Sequence, residues 1–357
     1  MGLARRLAAL VALAVGGAVA AGNCPASAQT TAEPSPEIVA GARQEGRLAS
    51  FGMPADRVAL AGIFRLLADK YGILHSDTDI GAAEQITRLI GEQDAPATDV
   101  GDVGYDAVGR LLESRLTAPY KPAGWDRIPE AFRDPDGNWS VAYWGAVAFL
   151  VDIDKVRDVP AGWNDLLRPA YRDMVCARDP RSSGAGAVAV LAAAYANGGG
   201  EHDPQPGLDW LQRLRDGGNL RPGVEPDLAA VRRADCPIAL VYDFDALAMR
   251  DAAGRRLMVV IPSDGTVGMP FAQYVSAVAP HPDAARLAID VLQSDEGQAL
   301  LAAGYVHPVR PVALPPEVAA RLLPQSAYGA IHFPAGLASF SAALRRIAEG
   351  WNALAGG

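Results

Sequence analysis

The chain has 357 residues, 50% of them hydrophobic and 20% charged, with 32 basic against 41 acidic side chains and a formal net charge of -9. Such proportions exclude a disordered chain and describe a globular one with real cores. The acidic balance disfavours nucleic acid as a partner, and the length allows two domains at about 150 residues each.

The first segment reads as a secretory leader. Arg5 and Arg6 precede an apolar run over 7–21, which gives way to Ala26-Ser27-Ala28. Basic, apolar and small residues in that order predict cleavage after Ala28 and a periplasmic protein. A membrane anchor fits less well, because Gly16 and Gly17 interrupt a run already short of the roughly 20 residues a span needs. Asn23 stands where a small residue is expected before a lipidated Cys24, and two arginines are ordinary in any leader. Cleavage leaves Cys176 and Cys236, which an oxidising compartment lets bond; the alternative is two buried thiols on separate strands. Neither stands in a CxxC or metal-type spacing.

After the leader, Thr, Pro and Ser make 29–36 an unstructured tail. A helix follows over 37–45 and Gly46 ends it; the strand 47–51 is closed by Gly52-Met53-Pro54. Leu60, Phe64, Leu67 and Tyr71 recur at helical spacing, so 56–71 is a helix with one face on a sheet, stopped by Gly72. A strand over 73–76 and an amphipathic helix over 84–90 come next. Strand, helix, strand, helix implies a parallel sheet covered by helices.

The pattern changes at Tyr143-Trp144-Gly145, where 146–151 is a continuous apolar strand. Beyond it lie a helix-like turn over 163–167, a strand over 174–177 and a long helix over 186–197 ended by three glycines. A helix over 208–215 and buried strands over 238–242 and 257–261 complete this run. A strand over 273–278 leads to a helix over 283–293, and Ala- and Leu-rich helices continue to Trp351. No repeat of fixed period is present. The expected fold is α/β and two-lobed, with a discontinuous first lobe, 37–143 and 276–357, around an inserted second lobe, 144–275.

In open α/β sheets, ligands gather at the carboxyl ends of strands, where helix N-termini present unpaired N–H groups. Five loops qualify: 52–56 with Met53, 78–85, 102–106, 178–186 and 242–245. The loop 178–186 is the most informative. Its Ser182 and Ser183 hydroxyls, Gly184 backbone and helix end suit a carboxylate or phosphate-like group, and Arg181 adds a charged fork. The competing use is helix capping by Ser182 or Ser183, with Gly184 and Gly186 for close packing. Tyr242 and Asp243 follow a strand directly and offer an aromatic face and a carboxylate to an amine or hydroxyl-bearing solute; capping by Asp243 or Asp245 is again the alternative. Trp144, Phe271, Gln273 and Tyr274 stand where the chain passes between lobes, as cleft lining or hinge core.

Signs of catalysis are thin. No GxSxG, HExxH or P-loop is present, and His75, His202, His281, His307 and His332 form no ligand spacing. Gly184-Ala185-Gly186-Ala187-Val188-Ala189 fits the dinucleotide pattern loosely, but its strand lies too far back and no acid stands about 20 residues on. No catalytic residue, metal or cofactor is therefore expected.

Trp163-Asn164-Asp165-Leu166-Leu167-Arg168-Pro169-Ala170-Tyr171-Arg172 resembles a stretch of extracellular solute-binding proteins of the type II periplasmic fold. Ala68-Asp69-Lys70-Tyr71-Gly72, the loop 181–186, Ser294-Asp295-Glu296-Gly297-Gln298 and 304–311 are similar to the same family in order and spacing. The resemblance covers nearly the whole mature chain. It implies two α/β lobes, a hinge of crossing strands, closure on a small molecule, and a monomer that delivers it to an ABC permease and its ATPase. Family members serve importers for iron, polyamines, thiamine, phosphonates and sugar phosphates. Ferric members commonly carry two adjacent tyrosines near the return to the first lobe, which this chain lacks. Polyamine members carry an aromatic and an acid two apart, where this chain has Phe271 and Gln273. The expected cargo is a small polar organic solute with an anionic group, held partly by Arg181, Ser182 and Ser183.

Overall fold

The computed structural model describes residues 33–55 and 58–355. The leader, Cys24 and most of the tail lie outside them. Ser35 accepts from Ile38 N–H and Pro36 opens helix α1 (Pro36–Glu45), so the helix begins one residue inside the segment read as tail. Gly46, at φ 65°, ends it in the left-handed region glycine favours. Strand β1 (Arg47–Phe51), helix α2 (Val58–Leu66) with a π-turn over Leu67–Tyr71, strand β2 (Leu74–Thr78) and helix α3 (Ala82–Gly91) follow. Next come β3 (Val100–Gly104), α4 (Tyr105–Glu113), β4 (Thr117–Ala118) and β5 (Ser140–Asp152).

The middle of the chain supplies β6 (Val175–Cys176), α5 (Gly184–Ala196), α6 (Gln205–Asp216), α7 (Leu228–Arg232), β7 (Ile238–Tyr242), α8 (Asp243–Ala252), β8 (Leu257–Val260) and β9 (Thr266–Ser276). It ends with α9 (Pro282–Gln293), α10 (Asp295–Ala303), β10 (His307–Pro308), α11 (Pro316–Ala319), β11 (Ile331–His332) and α12 (Leu337–Ala355).

The fold is a two-lobed α/β architecture of mixed sheets. One sheet runs β2-β1-β3-β9-β5, parallel among the first three strands and antiparallel at β9 and β5. A second runs β6-β7-β5-β8. Both contain β5: Ser140 to Ala146 pair with β9, and Val147 to Val151 pair with β7. The long strands β5 and β9 are thus the crossing connections between the lobes. Helices α9 and α10 pack on α1 and α2, whereas α12 packs on α5 and α6 as well as α4. The last helix thus touches helices from both of the segments that the sequence division separates.

The core of the second lobe explains one stretch of the resemblance. Trp163 is fully buried; its indole donates to Gly265 O (2.8 Å), and Trp210 donates to Trp163 O (2.9 Å). Asp165 accepts from the N–H groups of Ala161 and Gly162 and fixes the turn that aims the indole inward.

In the first lobe, His75 stacks on Phe64 with centroids 3.3 Å apart and meets Ser50 Oγ at 2.8 Å. Burial lowers its pKa to about 4. The unfolded chain then binds more protons between that value and about 6.5, so stability is full above 6.5 and falls as the pH drops towards 4. Moving from pH 7 to 5 is expected to cost about 1 kcal/mol through this half-buried group once solvent screening is allowed for. Urea midpoints of wild type and His75→Gln at the two pH values check it: the variant's pH slope should be shallower, and equal slopes would refute the assignment.

Candidate ligand-binding cleft

The carboxyl ends of β1, β2 and β3 open on a cavity of about 300 Å³ lined by Gly52, Asp79, Gly81, Gln85, Asp102, Gly104 and Phe271. Two glycines shape it. Gly52 has φ 70°, and a Cβ there would stand 2.5 Å from Gln85 Nε2. A Cβ on Gly104 would meet Asp106 Oδ1 at 2.5 Å and Met269 Cε at 2.6 Å. The wall is held by a polar lattice. Gln85 donates to Asp102 O (2.9 Å) and accepts from Tyr274 OH (2.9 Å), while Asp102 Oδ2 accepts from Tyr143 OH (2.6 Å) and Gln273 Nε2 (3.2 Å).

Beside this cavity, two residues beyond Gly104, the second lobe approaches Asp106. A Cβ on Gly184, at the start of α5, would lie 3.7 Å from Asp106 Oδ2. Burial raises the Asp106 carboxyl above its usual range, against lowering by its own N–H and Arg110. Burial also pushes Tyr242 up, with the Asp106 and Asp245 carboxylates adding to it and Arg178 opposing. Tyr242 and Phe271 are edge to face with centroids 5.6 Å apart. The cleft thus gathers the N-termini of α3, α4, α5 and α8 around a partly buried carboxylate and two aromatic rings.

The sequence-selected residues separate into three groups. Gly184, Tyr242 and Phe271 come together at the cleft. Ser183 caps α5, its Oγ accepting from Gly186 N–H at 3.3 Å; its O–H, and the N–H groups of Gly184 and Ala185 that have no intrahelical acceptor, remain at the helix end. Ser182 is exposed, with its N–H on Asp179 O. Arg181 does not reach the cleft wall: its guanidinium is paired with Asp179 in the same loop.

Three others serve the framework. Met53 is buried in the first-lobe core, and only its N–H, donated to Asp77 Oδ1 (2.9 Å), faces the strand end. Gln273 Oε1 accepts from Ala142 N–H (2.7 Å), and its amide donates to Asp102 and to Phe271 O. Asp243 is fully buried. It accepts from Ala146 N–H (2.8 Å), Phe244 N–H (2.9 Å), His307 Nε2 (2.6 Å) and Tyr328 OH (2.7 Å). Its carboxylate pins β5, α8 and β10 together, which matches neither the ligand reading nor simple capping. Asp106 is the residue the sequence reading did not single out. Its loop was among the five, and its place at the start of a helix after a strand was the available signal.

A family model described as bacterial extracellular solute-binding protein matches residues 96–333. The chain belongs to that family. Its class is transport-associated and non-catalytic, and the chain is accordingly a periplasmic or extracellular solute-binding protein of the ABC-importer type. The periplasmic binding protein AfuA of Actinobacillus pleuropneumoniae, solved with exogenous fructose 6-phosphate bound, has the same fold at a TM-score of 0.70 and 20% identity, over 86% of this chain and 98% of that one. Iron-bound HitA of Pseudomonas aeruginosa is similar at a TM-score of 0.66 and 18% identity, over 86% and 97%. An uncharacterised protein of Haemophilus influenzae is 26% identical over 272 residues, 72% of this chain and 76% of its own. Among the described residues no helix is long and apolar enough to cross a membrane.

Proposed function

We propose that this protein captures a phosphorylated sugar, or a comparable hydroxyl-rich oxyanion, in the cleft and presents it to an ABC permease driven by its ATPase. One observation carries the reading: the Asp106 carboxylate stands across the gap from the N-terminus of α5. N–H groups at a helix start suit a phosphate, and a partly desolvated carboxylate suits the hydroxyls of the same molecule. The 300 Å³ cavity is at the small end of the usual ~300–1,000 Å³ for small-molecule sites, and AfuA holds a sugar phosphate on the same fold. In this reading the lobes comprise 37–143 with 276 to about 310, and 144–275 with the C-terminal helix. In the structure α4 rests on α12, where Ser341 Oγ donates to Asp106 O (2.8 Å) and Phe340 meets Tyr105 edge to face.

A second reading, ferric ion with an accompanying anion, draws on the neighbouring oxygen donors of Tyr242 and Asp106 and on the iron in HitA. Among the described residues no cluster of three His, Cys, Asp or Glu is present, so in this reading the tyrosine oxygen and the accompanying anion would supply much of the ligand set. A polyamine is disfavoured because Gln273 replaces the acid and spends its amide on the framework.

Calorimetry with fructose 6-phosphate, fructose, ferric ion with phosphate, and spermidine tests the assignment. The sugar phosphate should bind and fructose should not. Asp106→Ala should weaken it about 10- to 100-fold, the worth of one hydrogen bond to a charged group, and Ser183→Ala by less. Binding of ferric ion with no response to any sugar phosphate would replace this reading with the second.

A further inference from the structure

On the far side of the 178–186 loop lies a cavity of about 440 Å³ that shares no lining residue with the cleft. Arg178, Arg181, Arg215 and Arg221 stand in its wall, with Leu211 and Trp351 on its apolar side. Asp179 is the single acid among the lining residues. Four guanidiniums against one carboxylate is a sharp local inversion in a chain of net charge -9. Their other partners are peripheral: Glu225 is 3.5 Å from Arg178, Asp216 is 3.0 Å from Arg215 and Asp173 is 3.8 Å from Arg221. All three acids are exposed, and exposed pairs contribute little individually, so an oxyanion entering the cavity displaces them at small cost.

The framework holds the forks in place without using all their donors. Arg215 lies over the Trp351 ring at 5.1 Å and donates to Leu354 O; Arg221 donates to Asp235 O. Guanidiniums fixed in this way match phosphate and carboxylate groups in bidentate geometry. We propose that this cavity is a second binding site, separate from the interlobe cleft, for a small molecule carrying two or more phosphate or carboxylate charges. The loop 178–186 is common to both: its Arg178 to Arg181 end walls this cavity and its Ser183-Gly184 end faces Asp106.

Inorganic pyrophosphate is the probe, titrated calorimetrically into the full mature chain at low and at high salt. Wild type should bind it, more weakly as salt rises. Arg215→Gln/Arg221→Gln should weaken binding at least about tenfold, as expected for two charge-assisted partners. Because Arg215 also packs on Trp351, Pro222→Glu serves as a second variant: it sets an opposing charge at the rim and removes no hydrogen bond, and it should weaken binding several-fold. The cleft variant Asp106→Asn/Ser183→Ala should bind pyrophosphate within about twofold of wild type, the limit for a site that makes no contact with either side chain. No binding to wild type, or unchanged binding to Pro222→Glu, overturns the proposal. So does loss of binding in the cleft variant, because the anion would then sit in the cleft.

Discussion

Asp243→Ala is expected to lower stability by about 3–5 kcal/mol, the usual penalty for removing one partner of a buried charged network. The carboxylate has no water contact and four protein donors, from β5, α8, β10 and Tyr328. Alanine would leave the Ala146 and Phe244 N–H groups, the His307 ring and the Tyr328 hydroxyl without an acceptor. Each orphaned buried donor costs about 1–3 kcal/mol before relaxation. Trp144 stacks on His307 at 3.8 Å and meets Tyr328 edge to face, so the rings cannot swing out to water without opening the crossing point of β5. Asp243→Asn should cost less, because the amide oxygen still accepts from two of the four donors. With domains typically stable by ~5–15 kcal/mol, the alanine variant should show a large drop in urea midpoint. A loss under about 1 kcal/mol, the worth of one ordinary hydrogen bond, would show that the network does not hold the crossing.

Most of the lobe architecture was readable because its signals are local. Gly46 and Gly72 end their helices in left-handed conformations, and 47–51 and 238–242 match β1 and β7 residue for residue. The strands that escaped notice are those whose composition argues against a strand. β3 is Val-Gly-Asp-Val-Gly, short and glycine-rich. The first half of β9 contains Gly268 and Pro270, both disfavoured in sheet interiors. They are tolerated because they lie where β9 pairs with β5, at Ala146 and Trp144, and β3 does not reach: its register begins opposite Phe271. The C-terminal helix was visible as a helix, but its partners were not: its contacts with α4, α5 and α6 join residues more than a hundred positions apart.

The site was readable as loops and much less as side chains. The rule that strand ends carry function led to Gly184, Tyr242 and Phe271, and to the loop of Asp106. Whether a carboxylate on such a loop faces a ligand or the framework depends on tertiary partners. Asp243 is surrounded by donors and Asp106 is not, though both stand in the first turn of a helix after a strand. The motifs behind the family resemblance are also framework. Trp163 is core, Gln298 bridges Ala142 O, Leu292 O and Val309 N–H, and Asp295 pairs with Arg127 and Arg310. A resemblance built on such residues identifies a fold before it identifies a cargo.

Breaking the Cys176 to Cys236 bridge is expected to cost about 4 kcal/mol, from the loop-closure entropy of a 60-residue separation. Sequence left this pairing open because it does not give the distance between the two cysteines; in the structure Cys176, on β6, and Cys236, two residues before β7, have Cα atoms 5.8 Å apart. The bridge joins neighbours already in register, with Val175 opposite Ile238 and Cys176 opposite Ala239, so it adds little to the shape of the folded sheet. Its effect falls on the unfolded chain, where it keeps α5, α6 and α7 within one closed loop. Reduction, or Cys176→Ala/Cys236→Ala, should therefore lower the urea midpoint while leaving cleft affinity within about twofold of the native value, because β6 still carries the 178–186 loop in place. Stability and affinity measured on the same sample separate the two effects. An unchanged midpoint would show that the unfolded chain gains no freedom when the bridge is cut. Lost affinity in a folded variant would show that the bridge, rather than the sheet, sets the position of Ser183 and Gly184.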